Sequence, residues 1–120
     1  MPRLLLIALG GVLGSSARYG LALAMGQHPA DAWPWATFVV NVVGAAVIGM
    51  VAIRLRDRPW LLPFVITGIL GGFTTFSALA VEAGSMLDAG RPAWALAYVA
   101  ATVGAGLLAV RAGMAIGRPR

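Results

Sequence analysis

The stretch Gly68-Ile-Leu-Gly-Gly-Phe-Thr-Thr-Phe-Ser77 decides how this chain reads, because it lies inside a long apolar run and argues against an unbroken helix. Gly71-Gly72 and Thr74-Thr75 weaken helix relative to alanine or leucine, the glycines through backbone entropy and the threonines through restricted χ1 freedom. In a bilayer a broken backbone is tolerated only where protein or a water-filled cavity covers it, since each unpaired N–H or C=O facing lipid costs several kcal/mol. The stretch is therefore expected to face protein or an ion. A break exposes carbonyls from the half-helix before it and N–H groups from the half-helix after it, ends that suit cations and anions respectively. The plainer reading is a tight helix contact, which also favours glycine and small alcohols and needs no ligand.

Working outward, the surroundings are those of a membrane protein. Of 120 residues 60% are hydrophobic and 11% charged, and the mean hydropathy is +0.88. That length accommodates four spans of about 20 residues with short connections and no soluble domain. The absence of cysteine excludes disulfides and thiol or zinc–cysteine chemistry. His28, the single histidine, reads as a connection residue beside Pro29. The net charge of +5 has arginine as its only basic source, and the arginines flank apolar spans. They are expected to anchor and orient the chain in lipid rather than bind nucleic acid.

The first span is expected over 4–25, opened by Arg3 and closed by Gly26-Gln-His-Pro29. Ala22-Leu23-Ala24 imitates a signal-peptide cleavage site, but Gly10-Gly11, Ser15-Ser16 and Arg18 interrupt the run too often for a short hydrophobic core. Gly10 and Gly14 form a small-xxx-small pair suited to close packing. Arg18 has two readings, a cationic vestibule or a side chain snorkelling to the interface. The second span, 33–53, follows Trp33-Pro34-Trp35, two interfacial tryptophans around a helix-starting proline. Its one strongly polar side chain, Asn41, is either a helix–helix amide contact or an NH₂ donor turned to a pore.

The third span, 60–87, covers some 28 residues, more than a straight helix needs, and the excess fits a break. After it comes Glu82, the only acid well inside a span, which is a functional candidate or a protonated or arginine-paired structural group. The fourth span, 92–114, carries Tyr98, Thr102 and Gly106 at intervals of four, nearly in line on one face. They form a hydroxyl track or a packing seam. With no internal repeat, any inverted symmetry must come from a second subunit.

At these residues the chain resembles the Fluc (CrcB) family of fluoride channels. The resemblance rests on Gly10-Gly-Val-Leu-Gly-Ser-Ser-Ala-Arg-Tyr19, Thr37-Phe-Val-Val-Asn-Val-Val-Gly44 and Gly71-Gly-Phe-Thr-Thr-Phe-Ser77, in that order over nearly the whole chain. It implies an all-α membrane protein with four transmembrane helices per subunit, the third broken mid-span, in an antiparallel dimer. It also implies a structural, untransported sodium at the dimer centre, held by main-chain carbonyls at Gly71 and Thr74. Asn41 and Phe76 match the family's pore asparagine and first pore phenylalanine, whose ring edge can face an anion. Tyr98 and Thr102 match the polar track, Arg18 the vestibule arginine and Glu82 the acid after the break. Thr75, Ser77 and Thr102 are expected to offer hydroxyls to fluoride. One position departs, since Ala78-Leu79 stands where the family's second phenylalanine is found.

With four spans, Arg3, Arg54, Arg56, Arg58, Arg111, Arg118 and Arg120 share a side against Arg91 alone. This predicts one fixed orientation in the cell membrane with both termini cytoplasmic. The partner is then expected to be an oppositely oriented, related subunit, where an even bias would allow a homodimer. Passive fluoride export needs no covalent step, and no enzymatic role is expected. The rival readings are a proton-coupled small multidrug exporter subunit and a non-transporting assembly subunit. The exporter wants an acid in the first span, where this chain has Arg18; the assembly subunit leaves the glycine–threonine run unexplained.

Overall fold

The computed structural model describes residues 2–26, 29 and 32–119; the expectations for His28 and Arg120 lie outside the described residues. Those residues form helices and connections without strands. Helix α1 is Pro2–Met25 and α2 is Trp35–Arg54. Helix α3 covers 61–73, beginning as Leu61–Pro63, widening into a π-helix over Phe64–Leu70 and tightening again over Gly71–Phe73. Thr74 and Thr75 are extended (ψ 157° and 122°), after which α4 runs Phe76–Asp88 and α5 runs Pro92–Gly117. Four segments, α1, α2, α3 with α4, and α5, are long and apolar enough to cross a membrane, so the chain is a multi-pass membrane protein.

Each helix end has a local cause. Pro34 precedes α2 and Pro92 opens α5, positions where a missing N–H costs nothing. Gly90, at φ +72°, ends α4: its N–H bonds the Leu87 carbonyl and the Arg91 N–H bonds that of Met86, closing the last turn. The π-helix packs more residues into each turn, as in the bond from Gly71 N–H to the Ile66 carbonyl. It therefore takes up part of the third span's extra length.

The helices associate in two close pairs. In α1 against α3, a Cβ on Gly10 would meet the Phe64 carbonyl at 2.8 Å, and one on Gly72 would meet that of Gly11 at 2.5 Å. In α2 against α5, Gly49 and Gly113 lie directly on the backbones of Val110 and Ala46. Lipid gives apolar helices no hydrophobic reason to associate, so these backbone approaches carry the association. Between α4 and α5 lies the fully enclosed core of Leu79, Met86, Ala95 and Tyr98, with Trp33 and Phe38 packed against it.

Arg3 donates to the Pro59 carbonyl at 2.9 Å and Arg54 to that of Ile116 at 3.3 Å. The start of α1, the connection before α3 and the end of α5 therefore share one end of the molecule, with Arg91 over the Trp94 ring at the other. Trp33 is half-buried just before the start of α2. It is the hub of a ring cluster, 5.3 Å from Trp94 and 5.2 Å from Tyr98, both edge-on.

Candidate functional site

The extended pair Thr74–Thr75 is the centre of the site, and side chains from two other helices bond to the backbone around it. Two extended residues cannot continue the i→i−4 ladder, so the carbonyls before them and the N–H groups after them need substitutes. Helix α1 serves the first set. Arg18 Nε donates to the Gly72 carbonyl at 3.2 Å, with Ser15 Oγ a longer 3.5 Å from the same oxygen. Arg18 thus does more than snorkel, since its guanidinium caps the C-terminal end of α3 where the helix dipole favours a cation.

Thr75 serves the second set: its Oγ1 accepts from Ala78 N–H at 3.2 Å, the N-cap bond of α4, and lies 3.2 Å from Ser77 Oγ. Helix α2 supplies Asn41, whose Oδ1 accepts from Thr75 N–H at 2.8 Å while its Nδ2 donates to the Thr75 carbonyl at 2.9 Å. The amide orientation is fixed by chemistry, because the flipped form would set donor against donor and acceptor against acceptor. One Asn41 amide hydrogen remains. The pairing is an interhelical amide contact, made to the extended backbone.

Thr74 Oγ1 donates to the Leu70 carbonyl at 2.9 Å, and Thr74 N–H bonds the same oxygen. Its methyl fills the space a Cβ on Gly44 would need. Phe76 and Ser77 are exposed at the start of α4, Phe76 at 78% of its surface, while Leu79 one turn on is 4% exposed within the α4–α5 core. The position where the family pattern has its second phenylalanine is thus a packing position in this subunit.

A second polar group lies further along α4. Glu82 takes one hydroxyl on each carboxyl oxygen, Thr37 Oγ1 at 2.7 Å and Tyr98 Oη at 2.6 Å, which ties α2, α4 and α5 together. Tyr98 is fully buried. Thr102 is buried too, and its Oγ1 donates back to the Tyr98 carbonyl at 2.8 Å, so its proton is committed to its own helix. Glu82, Thr37, Tyr19 and Ser85 line a cavity of about 350 Å³ among α1, α2 and α4.

The structure therefore gathers Arg18, Gly71, Thr74, Thr75, Ser77, Phe76 and Asn41 around the extended pair, and Glu82 with Tyr98 in a separate cluster. Thr37 and Ser15 complete these clusters. Nothing in their spacing singled them out beyond Thr37 lying one turn before Asn41 and Ser15 three residues before Arg18.

The chain is a multi-pass helical membrane protein whose third apolar segment is interrupted by two extended threonines. The family model described as "CrcB-like protein, Camphor Resistance (CrcB)" matches residues 5–114, and the chain belongs to that family. It is 43% identical to the fluoride-specific ion channel FluC of Rhizobium meliloti, across 98% of each chain. It is 44% identical to the protein of that name from Paracoccus denitrificans, across 93% of this chain and 91% of the relative. With FluC 2 of Thermobifida fusca the identity is 47%, across 92% and 84%.

Proposed function

We propose that this chain is a subunit of a fluoride-selective channel that lets fluoride leave the cell passively. The observation that carries the reading is the bonding of the Thr74–Thr75 interruption, in which three side chains from two other helices hold an otherwise unfavourable backbone. A structure that only needed close helix packing has no use for such an interruption. In this reading the third span is a membrane helix broken at mid-bilayer, and a second subunit lies antiparallel to the first. Fluoride passes groups such as the edge of Phe76, the hydroxyls of Thr75 and Ser77 and the spare Asn41 hydrogen. The relatives' name, fluoride-specific ion channel, supports the choice of ion.

A structural sodium fits the donor set. Thr75 N–H, which would serve the Gly71 carbonyl in an unbroken helix, is turned to Asn41, and neither the Gly71 nor the Thr74 carbonyl accepts a bond among the described residues. Neutral main-chain oxygens suit a hard cation. Gly71 and Thr74 of both subunits would hold it, and its charge would favour an anion nearby while tying the two broken helices together.

The seven-to-one arginine asymmetry favours a single orientation with both termini in the cytoplasm, and hence a related, oppositely inserted partner. Equal labelling of a C-terminal reporter from both membrane faces would replace that pairing with a homodimer. Flux itself is tested by fluoride-electrode recording of efflux from liposomes, with and without a candidate partner. Selective fluoride release is expected. Silence under every pairing leaves the assembly-subunit reading, and drug-driven proton movement leaves the exporter reading. The exporter is less well supported because both Glu82 oxygens are already bonded within the chain.

A further inference from the structure

We propose that Asn41 is a positioning residue for the cation site: by claiming both main-chain groups of Thr75, it releases one carbonyl oxygen, that of Gly71, and aims another, that of Thr74. This rests on the sodium reading above and assigns the device that makes its ligands available.

The argument begins with the donor. In an α-helix the N–H of Thr75 would bond the Gly71 carbonyl, four residues back. Asn41 Oδ1 takes that N–H at 2.8 Å instead, so the Gly71 oxygen is left over. Backbone preference alone does not secure this outcome. A threonine is only weakly disfavoured in a helix, by about as much as a single interhelical hydrogen bond in lipid contributes. Two such bonds from one amide tip the choice.

Direction follows from peptide geometry. Thr75 is extended (φ −150°, ψ 122°), so its N–H and C=O emerge on the same side, as they do toward a neighbouring strand in a sheet. The Asn41 side-chain amide occupies the place of that neighbouring strand and pairs with both groups. In a planar trans peptide the carbonyl of residue i points opposite to the N–H of residue i+1, and the described peptides are all trans. With Thr75 N–H directed at α2, the Thr74 C=O is directed away from α2. The Thr74 side chain adds to this, since its hydroxyl is spent on the Leu70 carbonyl and leaves the main-chain oxygen unopposed.

The assignment separates two roles that a pore-facing asparagine combines. A group that only touched the anion would alter fluoride dependence when lost. A group that sets the carbonyls alters sodium dependence.

The test is a sodium titration of thermal unfolding on the purified, detergent-solubilised channel, with N-methylglucamine replacing sodium, run beside fluoride efflux from liposomes. The variants are Asn41→Ala, Asn41→Leu and Asn41→Gln. Wild-type protein is expected to melt higher as sodium rises, with a saturable midpoint. Asn41→Ala and Asn41→Leu are expected to move that midpoint upward at least tenfold, and Asn41→Gln, which keeps the amide on a longer stem, to recover part of the shift. Should the alanine variant fail to fold, the leucine and glutamine pair carries the comparison. A sodium midpoint unchanged within twofold in every variant, with only fluoride dependence altered, overturns the proposal, as does wild-type melting indifferent to sodium. Absence of fluoride flux in a wild-type protein that still shows the sodium-dependent shifts overturns the channel reading and leaves the positioning role standing.

Discussion

Replacing Tyr98 with phenylalanine isolates the bond that joins α5 to α4. The ring is kept, with its edge-on contact to Trp33 at 5.2 Å, so the core of Leu79, Met86 and Ala95 loses no volume. Only the hydroxyl goes, and with it the 2.6 Å bond to Glu82 Oε2. Two magnitudes compete for the cost. Interhelical bonds between neutral groups in membrane proteins average about 0.6 kcal/mol, while bonds to a charged group are worth about 1.5–3 kcal/mol. Tyr98 is fully enclosed and its loss leaves Glu82 Oε2 without a donor, so a cost above the average interhelical bond is expected. Tyr98→Phe should therefore lower unfolding free energy by about 2 kcal/mol, measured by equilibrium unfolding in mixed micelles. Thr37→Val should add to it, and the double variant should cost more than the sum because Glu82 is then left without a hydroxyl donor. A Tyr98→Phe change below about 0.5 kcal/mol would refute the account, since even a neutral bond would then be missing.

Three further outcomes follow from the same structure. Gly72→Ala sets a Cβ 2.5 Å from the Gly11 carbonyl, so α1 must retreat by several tenths of an ångström and the 3.2 Å Arg18 bond stretches; lower melting and weaker fluoride efflux are expected together. Thr75→Val removes the N-cap of α4 and should cost about 1 kcal/mol in unfolding free energy, whereas Thr75→Ser should retain most of it. Phe76→Ala, at a side chain that is 78% exposed in the subunit, should leave monomer packing unchanged and cut fluoride efflux at least tenfold, and unaltered flux would remove Phe76 from the path.

Much of this architecture can be read from local features. Four apolar runs bounded by Pro, Gly and Trp mark the spans, and the small-residue spacing Gly10-Gly14 marks a backbone contact that the structure contains. The density of helix-weakening residues marks 68–77, although the extended residues are the two threonines alone, with Gly71–Phe73 still helical. Partners separated by long stretches of chain were not legible. Nothing in a one-dimensional pattern joins Asn41 to Thr75, or Thr37 to Glu82 and Tyr98, because those pairings depend on how α2 is rotated between α4 and α5. Spacing aligned Tyr98 with Thr102 as a track, yet the hydroxyl of the second bonds the main chain of the first, a habit of helix-borne threonine. The π-helical widening of 64–70 has no counterpart in the apolar pattern, which is the same for either helix type.

The bonding around Thr74–Thr75 also bears on the order of synthesis. Ser15, Arg18 and Asn41 precede the residues they secure, and Thr75 caps its own successor. A ribosome delivering this chain from its N-terminus has already placed all three in the bilayer when the bend emerges. The bend can thus be secured before α5 enters the bilayer, while Glu82 must wait for Tyr98.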